Sequence, residues 1–390
     1  MNNSKKRPAY LDYAAATPCD PRVIKEMVSC LEIGGAFANP HSKDHAYGWE
    51  AAEKVEEARA RVASLVGASP LEITFTSGAT EANNLAILGL AKALRIKGDK
   101  RRRVITSQIE HKAVLEACDE LEQEGYEVVR LRPQRDGAIS VSQVEEALDG
   151  DTFLVSVAQA NSVLGTVSDV HAIAKAARER GAFFHTDTAQ SAGYARTDFD
   201  ASQISMATLT SEKICGPKGV GALYVQRAQS VPLRPLIMGG GQEKGLRGGT
   251  VPTHEVAGMG MAFEIMEKEG AQDARRIGDL RKRLEDALRP IPGCIVNGSS
   301  DHRVPGILSV SFQGIDGRRL LPELSLRVAA SAGSACSSSD LKPSYVLTAI
   351  GLPDDLARAS LRLSLGRFTT AQEVDEAAAA IRQAVDKLRI

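Results

Sequence analysis

Lys213 stands between two apolar runs in the stretch TLTSEKICGPKGVGALYV, residues 208–225. A lysine in that position is most simply a solvated turn residue. Its ε-amine is, however, also the group that forms a Schiff base with an aldehyde cofactor. The polar residues that follow the other apolar runs of the chain decide between these two interpretations.

Several such polar residues follow apolar runs that have the pattern of strands. The loop SGATEAN, residues 77–83, follows EITFT and opens a helix, where free N–H groups and the helix dipole favour an anion such as phosphate. The others are His111 after VITSQIE, Asn161 after FLVSVAQA, Asp187 and Gln190 after AFFHT, and Thr210 after ISMATL. Ligands bind at the carboxyl ends of parallel strands, so we expect these side chains to share one site.

This set of residues fits the chemistry of pyridoxal phosphate held by the lysine. Asp187 would keep the pyridine nitrogen protonated, and Gln190 would bond the ring oxygen. Thr80 and Thr210 would hold the phosphate. His111 would stack on the ring and move protons, because imidazole acts as either acid or base near neutral pH. Each residue alone has a structural explanation, such as a helix cap, but their coincidence at successive strand ends favours the cofactor.

Helical and strand patterns alternate along most of the chain. Residues 46–66 carry apolar positions at helical spacing, and EITFT then has the pattern of a strand. The alternation predicts an α/β fold in which residues 15–255 form a large domain with a doubly wound, mainly parallel sheet. A long helical pattern then leads into a smaller α+β domain, residues 256–390 with 1–14.

Composition excludes several classes of protein. The chain has 390 residues, 43% of them hydrophobic and 25% charged, with a formal net charge of -1, so a global nucleic-acid footprint and disorder are excluded. Neither a signal peptide nor an apolar stretch of about 18 residues is visible, so no membrane association is expected. The six cysteines lack metal-ligand spacing, which predicts free thiols, no metal site and a cytoplasmic protein. The charge run KGDKRRR, residues 97–103, is a solvated turn or a docking patch.

Motifs along nearly the whole chain resemble one known family, the class V, fold-type I pyridoxal-phosphate enzymes of the aminotransferase type. Within it the chain is similar to the cysteine desulfurases of the IscS/NifS group. The motifs are YLDYAAATP (10–18), FANPHS (37–42), FTSGATEANNLAI (75–87), EHKAVLEAC (110–118), HTDTAQSAG (185–193), KICGPKGVGALYV (213–225), GGGQEKGLRGGT (239–250), SAGSACSSS (331–339) and LRLSLGRFTT (361–370).

The resemblance implies a fold-type I architecture with pyridoxal 5'-phosphate bound covalently to Lys213. The residues that it places around the cofactor are Ala79, Thr80, His111, Asn161, Asp187, Gln190, Thr210, Glu212, Lys213 and Thr250. Thr250 would reach the phosphate from the partner subunit, which implies a homodimer.

The resemblance also implies the reaction. Sulfur would pass from L-cysteine to Cys336, leaving L-alanine and a persulfide, and then to acceptor proteins for iron–sulfur cluster assembly, tRNA thiolation or DNA phosphorothioation. Arg362 and Asn161 would bind the substrate carboxylate. Without the resemblance, Cys336 is simply a small residue in a loop and Arg362 a strand arginine facing solvent.

Three residues depart from the family pattern near the cofactor: Glu212 and Gln159 stand where histidine is usual, and Val163 where glutamate is usual. We expect the Glu212 side chain to turn away from the phosphate and to pair with a cation such as Lys218 or an arginine of the partner. Another enzyme of the same fold, such as a selenocysteine lyase or an aminotransferase, and a non-catalytic scaffold remain alternatives. We expect a partner protein, and not this chain, to bind any nucleic acid.

Overall fold

The computed structural model describes residues 7–195, 198, 199, 201–332 and 343–389. The strands are β1 (Ala9–Tyr10), β2 (Ile73–Thr76), β3 (Arg103–Ser107), β4 (Glu127–Leu131), β5 (Thr152–Ser156), β6 (Phe183–Asp187), β7 (Met206–Thr210), β8 (Gly221–Val225), β9 (Cys294–Asn297), β10 (Ile307–Phe312), β11 (Val328–Ala329) and β12 (Ser360–Ser364). The helices are α1 (Pro21–Ser29), α2 (Ala46–Leu65), α3 (Ala79–Asn84), α4 (Leu90–Ile96), α5 (Lys112–Gln123), α6 (Val141–Ala147), α7 (Val170–Glu179), α8 (Thr253–Leu288), α9 (Gly317–Leu324), α10 (Tyr345–Ala349), α11 (Asp354–Arg358) and α12 (Ala371–Leu388).

A seven-stranded sheet forms the centre of the molecule, in the order β2-β8-β7-β6-β5-β3-β4. The pairs β3–β4, β3–β5, β5–β6 and β6–β7 are parallel, whereas β8 is antiparallel to both of its neighbours. The predicted α/β class is confirmed, with a mixed sheet in which β8 alone reverses direction. The carboxyl ends of β2, β3, β5, β6 and β7 therefore meet at one edge.

The helix that follows β2 begins at this edge. It continues from α3 through a π-helical segment, Leu85–Gly89, into α4. Its apolar face is buried through Leu85, Leu90 and neighbouring residues. Gly78 occupies the N-cap position with φ 149° and makes no side-chain cap hydrogen bond, so the first N–H groups of the helix lack the usual partner.

A second, antiparallel sheet has the order β12-β10-β9. It packs on α12 and buries a separate apolar cluster that includes Leu308, Leu361 and Ile381. Helix α8 contacts α1 and α2, which belong to the large domain, and also α12, which covers the second sheet. The predicted boundary at residue 255 falls inside α8. We keep the division into residues 15–255 and 256–390 with 1–14 as a proposal.

The charge run at residues 97–103 is partly paired within the fold, while Lys97 and Lys100 are exposed. Arg101 forms a salt bridge with Asp99, and Arg103 forms one with Glu127. Across the described ranges, no helix is long and apolar enough to cross a membrane. Those same ranges contain no group of three or more histidine, cysteine, aspartate or glutamate side chains that could hold a metal ion.

Candidate active site

A cavity of about 400 Å³ opens at the carboxyl edge of the large sheet. Ten of the residues predicted from the sequence line it: Ala79, Thr80, His111, Asn161, Asp187, Gln190, Thr210, Glu212, Lys213 and Arg362. Thr250 is exposed and is not among the lining residues. Cys336 lies outside the described residues.

Lys213 is held inside this cavity. Its side chain is 15% exposed, and its Nζ donates a hydrogen bond to the Ala15 carbonyl over 2.6 Å. Two residues later, Cys215 adopts the left-handed backbone conformation with φ 62°, in the turn that follows β7. The interpretation of Lys213 as a solvated turn residue is therefore wrong.

Glu212 differs from its expected arrangement. Its Oε1 lies 2.9 Å from Lys213 Nζ, so the cation that it contacts is the neighbouring lysine and not Lys218. The main chain of Glu212 is fixed separately, because Thr17 donates to its carbonyl through both N–H and hydroxyl. The carboxylate consequently remains at the cavity, where Glu212 is one of the lining residues.

Asp187 ends β6 and is 8% exposed. Asn83 Nδ2 donates to its Oδ2 over 2.8 Å, and the Ala189 N–H donates to Oδ1 over 2.9 Å. Both donors are neutral, so they orient the carboxylate without cancelling its charge. The sequence reasoning missed Asn83, although its position one helical turn after Thr80 was an available signal.

A buried histidine lies next to Asp187 along β6. His185 Nδ1 lies 2.8 Å from Ser156 Oγ, and its Nε2 lies 3.0 Å from Thr208 Oγ1. Burial lowers the pKa of His185 to about 4, more than the nearby Asp187 charge raises it. His185 is therefore neutral at physiological pH and leaves the negative charge of Asp187 uncompensated.

His111 is the N-cap residue of α5. Its Nδ1 accepts a hydrogen bond from the Ala113 N–H over 3.1 Å, which places the proton of the neutral ring on Nε2. The ring therefore has a fixed orientation and keeps its second nitrogen for other contacts. This cap explains why an exposed histidine occupies a defined position at the rim of the cavity.

Glu110, which the sequence reasoning did not identify, connects the loops around His111. Its Oε1 accepts from Ser107 Oγ over 2.5 Å and its Oε2 from the Ala158 N–H over 3.0 Å. Tyr345 OH donates to the Glu110 carbonyl over 2.7 Å. Complete burial raises the pKa of the Glu110 carboxyl to about 7. The N-terminus of α10 and the end of β5 are thus both attached to the turn that carries the histidine.

Asn161 follows β5 of the large sheet, and Arg362 brings the second sheet to the cavity. Asn161 Nδ2 donates to the Ile109 carbonyl, and its Oδ1 accepts from the N–H groups of Val163 and Leu164, each over 2.9 Å. Arg362 lies on β12, is 3% exposed and lines the cavity. Its burial contradicts the alternative of a strand arginine that faces solvent.

The family model for aminotransferase class-V matches residues 9–377. The chain is 50% identical to the cysteine desulfurase IscS of Tolumonas auensis over 384 residues, which is 98% of this chain and 94% of that protein. The IscS of Proteus mirabilis is 45% identical over the same shares of the two chains. The chain therefore belongs to the class-V aminotransferase family. The resemblance to cysteine desulfurases is confirmed.

Solved structures agree with this membership of the class-V family. A NifS-like protein has a TM-score of 0.90 at 33% identity and covers 98% of this chain and 100% of its own. SspA in complex with cysteine has a TM-score of 0.82 at 38% identity, over 94% and 100% of the two chains. DndA from Streptomyces lividans has a TM-score of 0.78 at 40% identity, over 92% and 99%.

Pyridoxal phosphate is the cofactor of this class-V family. The residues present fit it in three respects. Lys213 offers an amine inside the cavity, and Asp187 offers a buried carboxylate for the pyridine nitrogen. The helix that begins after Gly78 has N–H groups without a side-chain cap, which suits a phosphate. The cavity volume lies within the range of roughly 300–1,000 Å³ that small-molecule sites occupy.

Proposed function

We propose that this protein is a pyridoxal-phosphate-dependent cysteine desulfurase. It takes sulfur from L-cysteine, releases L-alanine and passes the sulfur through a persulfide on Cys336 to acceptor proteins. The observation that carries this proposal is that Lys213, Asp187, His111 and Arg362, contributed by two sheets, line one cavity. Support also comes from the names of the relatives, which are cysteine desulfurases, and from the SspA structure with cysteine.

The residues proposed to bind the cofactor form three groups, which would hold its aldehyde carbon, its ring and its phosphate. When bound, the cofactor supplies an electron sink for the substrate α-carbon. Lys213 would hold it covalently, and Asp187 would keep a proton on its ring nitrogen. Gln190, which donates to the Ala14 carbonyl over 3.0 Å, would bond the ring oxygen. Thr80 and Thr210, with Ala79 at the start of the helix, would hold the phosphate.

The substrate residues work at the other side of the cavity. Arg362 binds the carboxylate of L-cysteine, with Asn161 nearby, and His111 moves a proton at its Nε2. The carbon–sulfur bond breaks while a sulfur–sulfur bond forms at the Cys336 thiolate, and the carbon gains a proton to give alanine. No external oxidant is needed, because the thiol becomes a persulfide as the carbon is reduced.

We also propose that two copies of the chain form a homodimer. A run of large apolar side chains between residues 24 and 49 is exposed: Ile24, Val28, Leu31, Ile33, Phe37, Tyr47 and Trp49. Ile33 is 94% exposed and Trp49 60% exposed, which is costly for a surface left in water. A second copy would cover this surface, and Thr250 would then reach the phosphate of the partner's site. The cytoplasm is the proposed compartment.

The test is a spectrum followed by a product assay. Purified protein loaded with pyridoxal phosphate should absorb visible light through the lysine-bound cofactor, and L-cysteine should change that band. Alanine and sulfide should then appear in equal amounts when a reducing thiol is present. Protein that binds the cofactor but makes no alanine from L-cysteine would contradict the proposal. Turnover of L-selenocysteine alone would favour the lyase alternative.

A further inference from the structure

Arg362 is already engaged on the side of its guanidinium that a carboxylate needs. Its NH2 donates to Asp12 Oδ1 over 3.0 Å and to Ser331 Oγ over 3.2 Å. Its NH1 donates to the Ser162 carbonyl over 3.2 Å. Its Nε is buried and has no hydrogen-bond partner among the described residues. Nε is therefore unsatisfied, while NH2 already donates to two acceptors.

This pattern restricts how a carboxylate can bind. Guanidinium offers two bidentate edges, one formed by Nε with NH2 and the other by NH1 with NH2, because the side chain itself blocks the third. Both edges include NH2. A substrate carboxylate that takes two hydrogen bonds from Arg362 therefore competes with Asp12 and Ser331 for NH2.

The two contacts differ in strength. Asp12 forms a charge-assisted ion pair with Arg362 over the shorter distance, whereas Ser331 contributes a neutral oxygen over the longer one. The Ser331 hydroxyl also donates to Asp12 Oδ1 over 2.9 Å, so rotating it away leaves the ion pair in place. Ser331 is consequently the contact that yields.

We propose that Ser331 is a positioning residue whose hydroxyl occupies the carboxylate-binding edge of Arg362 until an amino-acid substrate displaces it. The buried Nε without a partner and the doubly engaged NH2 together point to this exchange. Filling the edge keeps a polar atom beside a buried cation when the site is empty. The inference depends on the proposed function in one respect, namely that the amino-acid substrate is L-cysteine.

The backbone of Ser331 does not need to move when its hydroxyl leaves Arg362. The Arg362 N–H donates to the Ser331 carbonyl over 2.7 Å, and the Ser331 N–H donates to the Arg362 carbonyl over 3.2 Å. These two hydrogen bonds hold the backbone of Ser331 against β12. The hydroxyl can therefore leave by a change of χ1 alone, which is a small rearrangement for an unbranched side chain.

The experiment measures binding of L-alanine, the product carboxylate, to the protein loaded with pyridoxal phosphate. Ser331→Ala removes the competing hydroxyl, so L-alanine should bind about fivefold more tightly by calorimetric titration, as expected for one neutral hydrogen bond. Ethylamine, which is L-alanine without its carboxylate, should bind both proteins equally. In turnover, KM for L-cysteine should fall while kcat stays the same.

Control variants separate displacement from general structural effects. Ser331→Thr keeps the hydroxyl and should bind L-alanine as the wild type does. Ser325→Ala changes an exposed serine near β11 and should not alter the affinity for L-alanine or for ethylamine. Ser331→Gly also lacks the hydroxyl and replaces Ser331→Ala if that variant fails to fold.

Three outcomes would overturn the inference. The first is unchanged or weaker L-alanine binding in the folded variant without the hydroxyl. The second is an equal gain for ethylamine, which would mean that the effect does not involve the carboxylate. The third is a wild type that does not bind L-alanine at all, since Arg362 would then hold no carboxylate. Failure of the proposed function gives a different result, namely intact L-alanine binding without alanine formation from L-cysteine.

Discussion

Glu212 Oε1 lies 2.9 Å from Lys213 Nζ, so the lysine that we propose as the cofactor's attachment point has a carboxylate partner in its own sequence neighbour. Lys213 Nζ also donates to the Ala15 carbonyl over 2.6 Å, so two oxygens fix the position of the side chain. The same carboxylate adds a negative charge to a cavity that must also receive a phosphate.

Glu212→His should tighten pyridoxal phosphate binding by roughly 1 kcal/mol, or about fivefold, because a charge-assisted hydrogen bond to phosphate replaces a repulsion. The measurement is the cofactor dissociation constant of both proteins at fixed pH and salt. Glu212→Gln is the matched control, since it removes the charge without adding a histidine donor, and it should give part of the gain.

An equal or weaker affinity in the histidine variant would mean that Glu212 has a positive role. The contact with Lys213 would then be that role, because the carboxylate holds the Lys213 amine in position for the cofactor. Comparison of the rates at which the apo proteins take up the cofactor would distinguish the two cases, since only the second slows uptake when the carboxylate is removed.

Lys213→Ala should abolish turnover and leave the cofactor bound without a covalent link. Borohydride reduction followed by peptide mapping should label Lys213 in the wild type and no residue in the variant. The label should survive in Lys218→Ala, which removes the other lysine of this stretch. A label on a different lysine of the wild type would show that the assignment is wrong.

Cys336→Ser should still change the cofactor spectrum with L-cysteine but should release essentially no sulfide. Cys215→Ser is the informative comparison, because Cys215 is the cysteine closest to Lys213 in sequence. Burial raises the pKa of the Cys215 thiol to about 11, so it is protonated and unreactive near neutral pH. Sulfide release should persist in that variant, and its loss there alone would move the nucleophile to Cys215.

The sequence predicted the parts of the site that follow from strand order. Asp187 and Thr210 end neighbouring parallel strands, and Lys213 comes shortly after, so the topology alone brings them together. The starts of helices could also be predicted, because a glycine before a helical pattern shows where backbone N–H groups are free. The prediction of the site therefore came mostly from the residue types at the ends of strands and at the starts of helices.

What the sequence did not reveal depends on long-range packing. Arg362 and Asp12 are 350 residues apart and pair only because β12 lies beside the N-terminal segment. Glu110 resembled an ordinary residue before a helix, and its complete burial is a property of the assembled loops. The contact between Glu212 and Lys213 was not predicted, because side-chain rotamers decide between Lys213 and Lys218 and sequence spacing does not specify rotamers.

Glu110 should make the stability of the protein depend on pH. Its folded pKa of about 7 lies above the ordinary 4.5, so the folded state holds a proton that the unfolded state loses first. The stabilisation is complete below about pH 4.5 and is lost as pH rises through 7. His185 has the opposite sign, because its lowered pKa costs stability as pH falls from 6.5 towards 4. The two effects partly cancel between pH 4.5 and 6.5.

Glu110→Gln isolates the first effect, since both proteins keep His185. We expect the difference in the free energy of unfolding between wild type and variant to shift in favour of the variant by about 2 kcal/mol between pH 5 and pH 8. Urea unfolding of the cofactor-loaded proteins at several pH values measures this difference. Glu116→Gln, a change of an exposed glutamate on α5, should show a difference that does not vary with pH. A constant difference for Glu110→Gln as well would mean that the buried carboxyl stays ionised throughout, held by Ser107 and the Ala158 N–H.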